Sequence, residues 1–166
     1  MTARPILIWP DPRLSEICAP AVFTAKTADL VRDLFDSMYA AAGRGLAAPQ
    51  IGLLQRIFVM DAGWKDGAPT PRICINPKIM VTSDDTAKHP EGCLSLPGVT
   101  ADVVRPALIT LLSYDLDGQP RQWALQGFEA ICAQHELDHL DGILTFDRLS
   151  AVARVALKTR YNEMSG

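Results

Sequence analysis

No stretch of this chain is apolar for long enough to cross a bilayer. The longest run after the N-terminus, ALITLL at 107–112, is six residues against the roughly 20 that a spanning helix needs. The opening MTARPILIWPDP has one early arginine, a very short apolar run and two prolines. That is too little for a signal-peptide core, and it lacks the Arg- and Ser-rich pattern of a transit peptide. A cytoplasmic protein is expected. Charge of one sign is missing too: 16 basic and 19 acidic residues leave a formal net charge of −3. Neither nucleic acid nor an anionic membrane surface finds electrostatic footing there. Cysteine is too sparse for a disulfide framework, since Cys18, Cys74, Cys93 and Cys132 are the only four in 166 residues. Without an export signal they read as reduced thiols, able to bind metal or react. Repeats, low-complexity tracts and long linkers are also lacking, so residues 1–166 are expected to form a single domain. A monomer is assumed.

What is present reads as strands first and a histidine-bearing helix late. TAKTADLVRDLFDSMYAAAG (24–43) places Leu30, Leu34 and Met38 at helical spacing after a threonine that can cap, with Gly43 as the stop. A Gly/Ala loop (43–52) leads to the short buried strand RIFVMD. RICINPKIM (72–80) is strand-like, with a proline suited to an edge or a bulge. TSDDTAKHPEG (82–92) reads as a polar loop. Residues 99–125 read as β-hairpin material turning at Asp117-Gly118. GFEAICAQHELDHLDG (127–142) is a second helix closed by Gly142, and an amphipathic helix starting at Ser150 ends the chain. This order predicts an α+β fold, with antiparallel or mixed strands around a central metal-binding helix and further helices at both ends.

Histidine is scarcer still. There are three, and two of them flank a glutamate in HELDHLDG (135–142). Positions i and i+4 share a helix face, so His135 and His139 can converge on one ion. Glu136, turned about 100° away, stands where a base for metal-activated water belongs. A zinc endopeptidase of this pattern needs another histidine at position 145, which is threonine here. The third donor must come from elsewhere. Cys132 is a turn too early on the helix for a short side chain. Glu163 sits three residues from the terminus, where helices fray. Cys93, in the tight PEGCLSLPG segment, is better placed, and its thiolate binds transition metals strongly.

Three segments, GRGLAAPQ (43–50), EGCLS (91–95) and QHELDH (134–139), resemble in order and spacing the signature motifs of the peptide deformylases. The likeness runs through the connecting segments from about Leu14 to Leu149. The resemblance implies removal of the formyl group from the N-terminal methionine of nascent polypeptides, acting near the ribosome. It implies Cys93, His135 and His139 as ligands of one divalent metal, commonly Fe(II), with zinc, nickel or cobalt tolerated. Glu136 would be the general acid/base, taking a proton as metal-bound hydroxide attacks the formyl carbon and passing it to the departing amine. The amide of Gln50 and the backbone N–H of Leu94 would hold the oxyanion. Gly45 would lend backbone groups to the substrate. Glu91 and Arg105 would pair behind the cysteine segment, and Phe128, Ile131 and Cys132 would line a pocket for the methionine side chain.

Two positions depart from the family pattern. Arg44 and His89 stand where aliphatic or apolar residues are frequent, and both are expected beside the substrate cleft, which leaves the side-chain preference open. Two rival readings follow from this. One is an inactive or substrate-shifted homologue that binds metal, serving as a ribosome- or chain-binding module. The other is a zincin-type endopeptidase, which Thr145 disfavours.

Overall fold

The segment Ile57–Asp61, IFVMD, is buried along its whole length. A strand covered on both faces needs a layer on each side. In the computed structural model, which describes residues 3–165, two helices provide those layers. Strand β1 (Gly45–Ala47), β2 (Ile57–Asp61), β3 (Pro71–Thr82), β6 (Leu108–Tyr114) and β7 (Pro120–Gln126) form an antiparallel sheet in the order β1-β2-β3-β6-β7. The period of two along β2 divides the core. Ile57 and Val59 join Leu30, Leu34 and Met38 of α1 (Ala25–Ala40). Phe58 and Met60 pack with Ala130, Cys132, Ala133 and Leu140 of α2 (Gly127–Leu140). Burying four or five such side chains contributes on the order of 10 kcal/mol to each layer before conformational entropy is charged.

Strands β4 (Thr86–Cys93) and β5 (Leu96–Pro106) form a separate antiparallel ribbon. Helix α3 (Ala151–Ser165) packs Leu157 and Tyr161 against Leu96 and Val99 of this ribbon. The side chain of Ser150 accepts a hydrogen bond from the Ala153 N–H at 3.2 Å, capping α3 at the expected residue. The architecture is α+β, as the order of elements implied.

Several local expectations are corrected. The polar loop at 82–92 is largely strand β4, and β1 lies inside the expected Gly/Ala loop. Residues 99–125 are not one hairpin. Their first part is β5, paired with β4, while β6 and β7 turn at Asp115–Gly118, where Asp115 accepts from the N–H groups of Asp117 and Gln119. Of the two settings expected for Pro77, the bulge holds and the edge does not: it sits at a bulge of β3, the middle strand of the sheet, where the register shifts between Ile75 and Lys78. Helix α1 also stops differently. Ala42, at φ 56°, takes the left-handed position, and the Gly43 N–H reaches back to the Met38 carbonyl at 2.9 Å. At Gly43 itself a Cβ would stand 2.7 Å from Leu94 Cδ1, the far end of a flexible side chain.

Candidate metal centre and cleft

Helix α2 is buried at ten of its fourteen positions, polar ones included. Such a helix must satisfy its polar groups inside the protein. Its ligand-bearing face meets the tip of the β4–β5 ribbon, where a register break separates Gly92 from Cys93 and Cys93 pairs with Leu96 across a two-residue turn. One group of His, Cys, Asp and Glu donors among the described residues converges tightly enough to hold a metal: Cys93, His135 and His139, with ligand atoms all within 4.8 Å of one another. Cys93 Sγ lies 3.4 Å from His139 Nε2. Two imidazoles and a thiolate on one point suit a divalent transition metal and leave a coordination position for water or substrate. The other cysteines are unsuited. Burial pushes Cys18 up to about 11, Cys74 up to about 12 and Cys132 well above the ordinary thiol value. Cys132 Sγ instead lies 3.6 Å from the Arg44 carbonyl. Glu163 is exposed on α3, outside the converging group.

Behind the donors runs a buried charge network. His135 Nδ1 donates to Glu91 Oε1 at 2.9 Å, directing Nε2 toward the converging group. Arg105 binds both oxygens of Glu91, at 2.6 and 3.0 Å, and donates to Asp138 at 2.9 Å. Arg148 reaches Asp138 from the outer side at 2.6 and 3.0 Å. Burial alone would raise the Glu91 carboxyl, but His135 and Arg105 hold it at about 2, so it stays ionised. Burial lowers His139 well below the ordinary imidazole value, helped by the charge of His135, which favours the neutral form that a metal would bind. Burial opposes a proton on His135 as well, but hydrogen bonds to Cys93 and Glu91 carry it well above the ordinary value. The same negative groups that hold that proton would attract a metal cation in its place.

Glu136 is buried beside this centre. Its Oε2 has no hydrogen-bond partner among the described residues, and burial pushes its carboxyl up to about 7. Gly45 faces it so closely that a Cβ would stand 2.8 Å from both Glu136 Oε1 and Cys132 Sγ. Gln50, 1% exposed, has its amide oriented by its partners. Its Oε1 accepts from the Ala47 N–H at 3.0 Å, so Nε2 points inward, 3.1 Å from Ser95 Oγ and 3.8 Å from Cys93 Sγ.

A cleft of about 430 Å³ opens over these groups. Arg44, Gly45, Gln50, Cys93, Leu94, Phe128, Ile131, Cys132, His135 and Glu136 all line it. His139 lies beneath, 1% exposed. His89 is not among the lining residues. Its ring lies 6.2 Å from that of Phe128, edge-on, and its Nδ1 is 2.7 Å from the Pro90 carbonyl. Sequence reasoning missed three supports: Ser95, Asp138 and Arg148. Asp138 had a signal, because a carboxylate between two inward histidines of a buried helix requires a cationic partner.

The sequence model of the polypeptide deformylase family matches residues 3–155. A peptide deformylase from Rhodopseudomonas palustris is 43% identical over 166 aligned residues, covering 98% of this chain and 95% of the relative. A peptide deformylase-like protein from Agrobacterium fabrum is 42% identical and covers 98% of each chain. The crystal structure of a peptide deformylase from Legionella pneumophila superposes with a TM-score of 0.91 at 36% identity, covering 98% of this chain and 95% of that one. With the three motifs brought together in one cleft, this chain belongs to the polypeptide deformylase family.

Proposed function

We propose that the chain, acting as one catalytic domain, hydrolyses the formyl amide at the N-terminus of formyl-methionyl nascent peptides. The observation that carries this is the convergence at one cleft of a Cys–His–His donor group at its floor, a buried carboxyl and an inward-pointing amide nitrogen. A divalent metal held by Cys93, His135 and His139 supplies Lewis acidity and makes water acidic enough to attack near neutral pH. Fe(II) is the proposed ion in the cell, with zinc, nickel or cobalt able to replace it.

Glu136 accepts the proton from the attacking water and delivers it to the leaving amine. A carboxyl at about 7 is suited to both halves of that transfer. Gln50 donates from Nε2 to the oxygen that gains charge, and the Leu94 N–H is the second donor. The Gln50 donor arrives already oriented, because Ala47 holds the other end of the amide. Gly45 brings backbone close to the peptide, while Ile131 and Cys132 line the first side-chain site. The proposed action is on chains emerging from the ribosome in the cytoplasm, as a monomer. No helix among the described residues is long and apolar enough to cross a membrane.

The test is formate release from formyl-Met-Ala by anaerobically prepared Fe(II) protein. Glu136→Ala should keep its metal and lose about 100- to 10,000-fold in kcat, while Cys93→Ala should lose metal affinity. Cleavage of internal peptide bonds, or no formate from the metallated protein, would overturn the reading.

A further inference from the structure

The cleft mouth carries a cation that the hydrolysis itself does not use. The α2 side of the cleft runs from His135 through Cys132 and Ile131 to Phe128, which lies seven residues earlier on the helix. That is about 10 Å along the axis. On the deformylase reading, the formyl carbon sits within about 3 Å of the attacking oxygen. Six bonds then separate that carbon from the end of a methionine- or glutamate-sized side chain, about 7–8 Å when extended. The end of the first side chain therefore comes level with Phe128.

What stands there is not apolar. The Arg44 guanidinium carbon lies 5.3 Å from the centre of the Phe128 ring, and Arg44 and Lys65 both line the cleft. The aromatic face holds the guanidinium through a cation–π contact. The loop after β2 fixes it further: Arg44 Nη1 donates to the Ala62 carbonyl at 2.6 Å and to Asp66 at 3.2 Å. Trp64 Nε1 ties the same loop to the Gly43 carbonyl at 2.8 Å. Asp66 is 69% exposed, so its pairing is weakened by solvent. Both hydrogen bonds that the guanidinium makes among the described residues leave from Nη1. Nε and Nη2, the side-on edge that binds a carboxylate with two parallel bonds, keep their donors.

We propose that Arg44 determines specificity for the first residue. It selects N-formyl peptides whose first side chain has a short apolar stem ending in a hydrogen-bond acceptor, over wholly apolar side chains. The carboxylate of glutamate and the sulfoxide oxygen of oxidised methionine share that chemistry. The reaction is unchanged: water adds to the formyl carbon, the C–N bond breaks, and formate and the free amine leave.

The experiment compares kcat/KM for formate release from formyl-Xaa-Ala-Ser, with norleucine, methionine, glutamate or methionine sulfoxide first, in the metallated wild type and Arg44→Leu. In the wild type at least one acceptor-ended substrate should exceed norleucine by about tenfold, the size of a charge-assisted hydrogen bond. Arg44→Leu should remove that advantage, and Arg44→Lys, lacking the fork, should restore only part of it. A gain for glutamate alone assigns the carboxylate; a gain for the sulfoxide alone assigns oxidised methionine. Norleucine equal to or better than both in the wild type, or an unchanged ratio in Arg44→Leu, overturns the selectivity while leaving deformylation intact. Formate from none of the four substrates would instead remove the reading on which the selectivity rests.

Discussion

The two ends of the cleft are built on opposite terms. At the metal end Glu91, Arg105 and Asp138 are buried and hold one another, while Glu136 Oε2 and His139 Nδ1 are buried without a partner among the described residues. Glu91 and Arg105 expose only 4% and 5% of their side chains. At the mouth, Phe128 is 40% exposed and Arg44 pairs with a solvated aspartate. A buried ionic network tolerates no change of partner, because removing one member leaves an uncompensated charge. The mouth contacts sit in water and can be exchanged at little cost. The reaction is thus protected by burial, and substrate preference lies where substitution is cheap.

Breaking the buried end should have the largest effect. Arg105→Leu leaves Glu91 with His135 and Asp138 with the half-exposed Arg148 as remaining partners, and should cost about 3–5 kcal/mol of stability by denaturant unfolding. A loss below about 1 kcal/mol, the range of solvated surface pairs, would erase the contrast between the two ends. Next is Gly45→Ala, whose new methyl must displace the Glu136 carboxyl or the Cys132 thiol. A misplacement near 1 Å should lower kcat about 100-fold with the metal retained. Gly43→Ala offers the control, since the Leu94 side chain that it meets can swing aside; equal losses in the two variants would argue against Glu136 as the group displaced. The smallest effect is expected at Ala42→Gly, on the cleft rim two residues before Arg44. Relief of the left-handed alanine should stabilise the protein by about 0.5–1 kcal/mol, and a lower melting temperature would count against strain there.

The metal helix was legible because His135 and His139 combine helical spacing with a rare residue type. Helix α1 was legible from its leucines, and β2 from an unbroken apolar run. Strand β4 was hidden for a physical reason. Its more buried positions are Ala87, His89, Glu91 and Cys93, so the alternation that reveals a strand lacks the large apolar side chains that make it visible. The bulge at Asn76 and Pro77 was likewise ambiguous until the Asn76 side chain was seen bonding the backbone of Ala21 in both directions, at 2.8 and 3.1 Å. Contacts between residues 55 apart leave no mark on local pattern. The same holds for Gln50, whose meaning depends on Ala47 at one end of the amide and Ser95 at the other.

The two-residue turn at the end of the β4–β5 ribbon has a thermodynamic consequence. Cys93, Leu94 and Ser95 sit on one short, pinned tip: the Trp9 N–H donates to the Ser95 carbonyl at 3.0 Å, and Gln50 holds the Ser95 hydroxyl. The disorder of three functional positions is therefore surrendered once, when the chain folds, and not again at each encounter with substrate. A hinge in the ribbon would move the Cys93 sulfur and the proposed Leu94 donor together and leave their spacing intact.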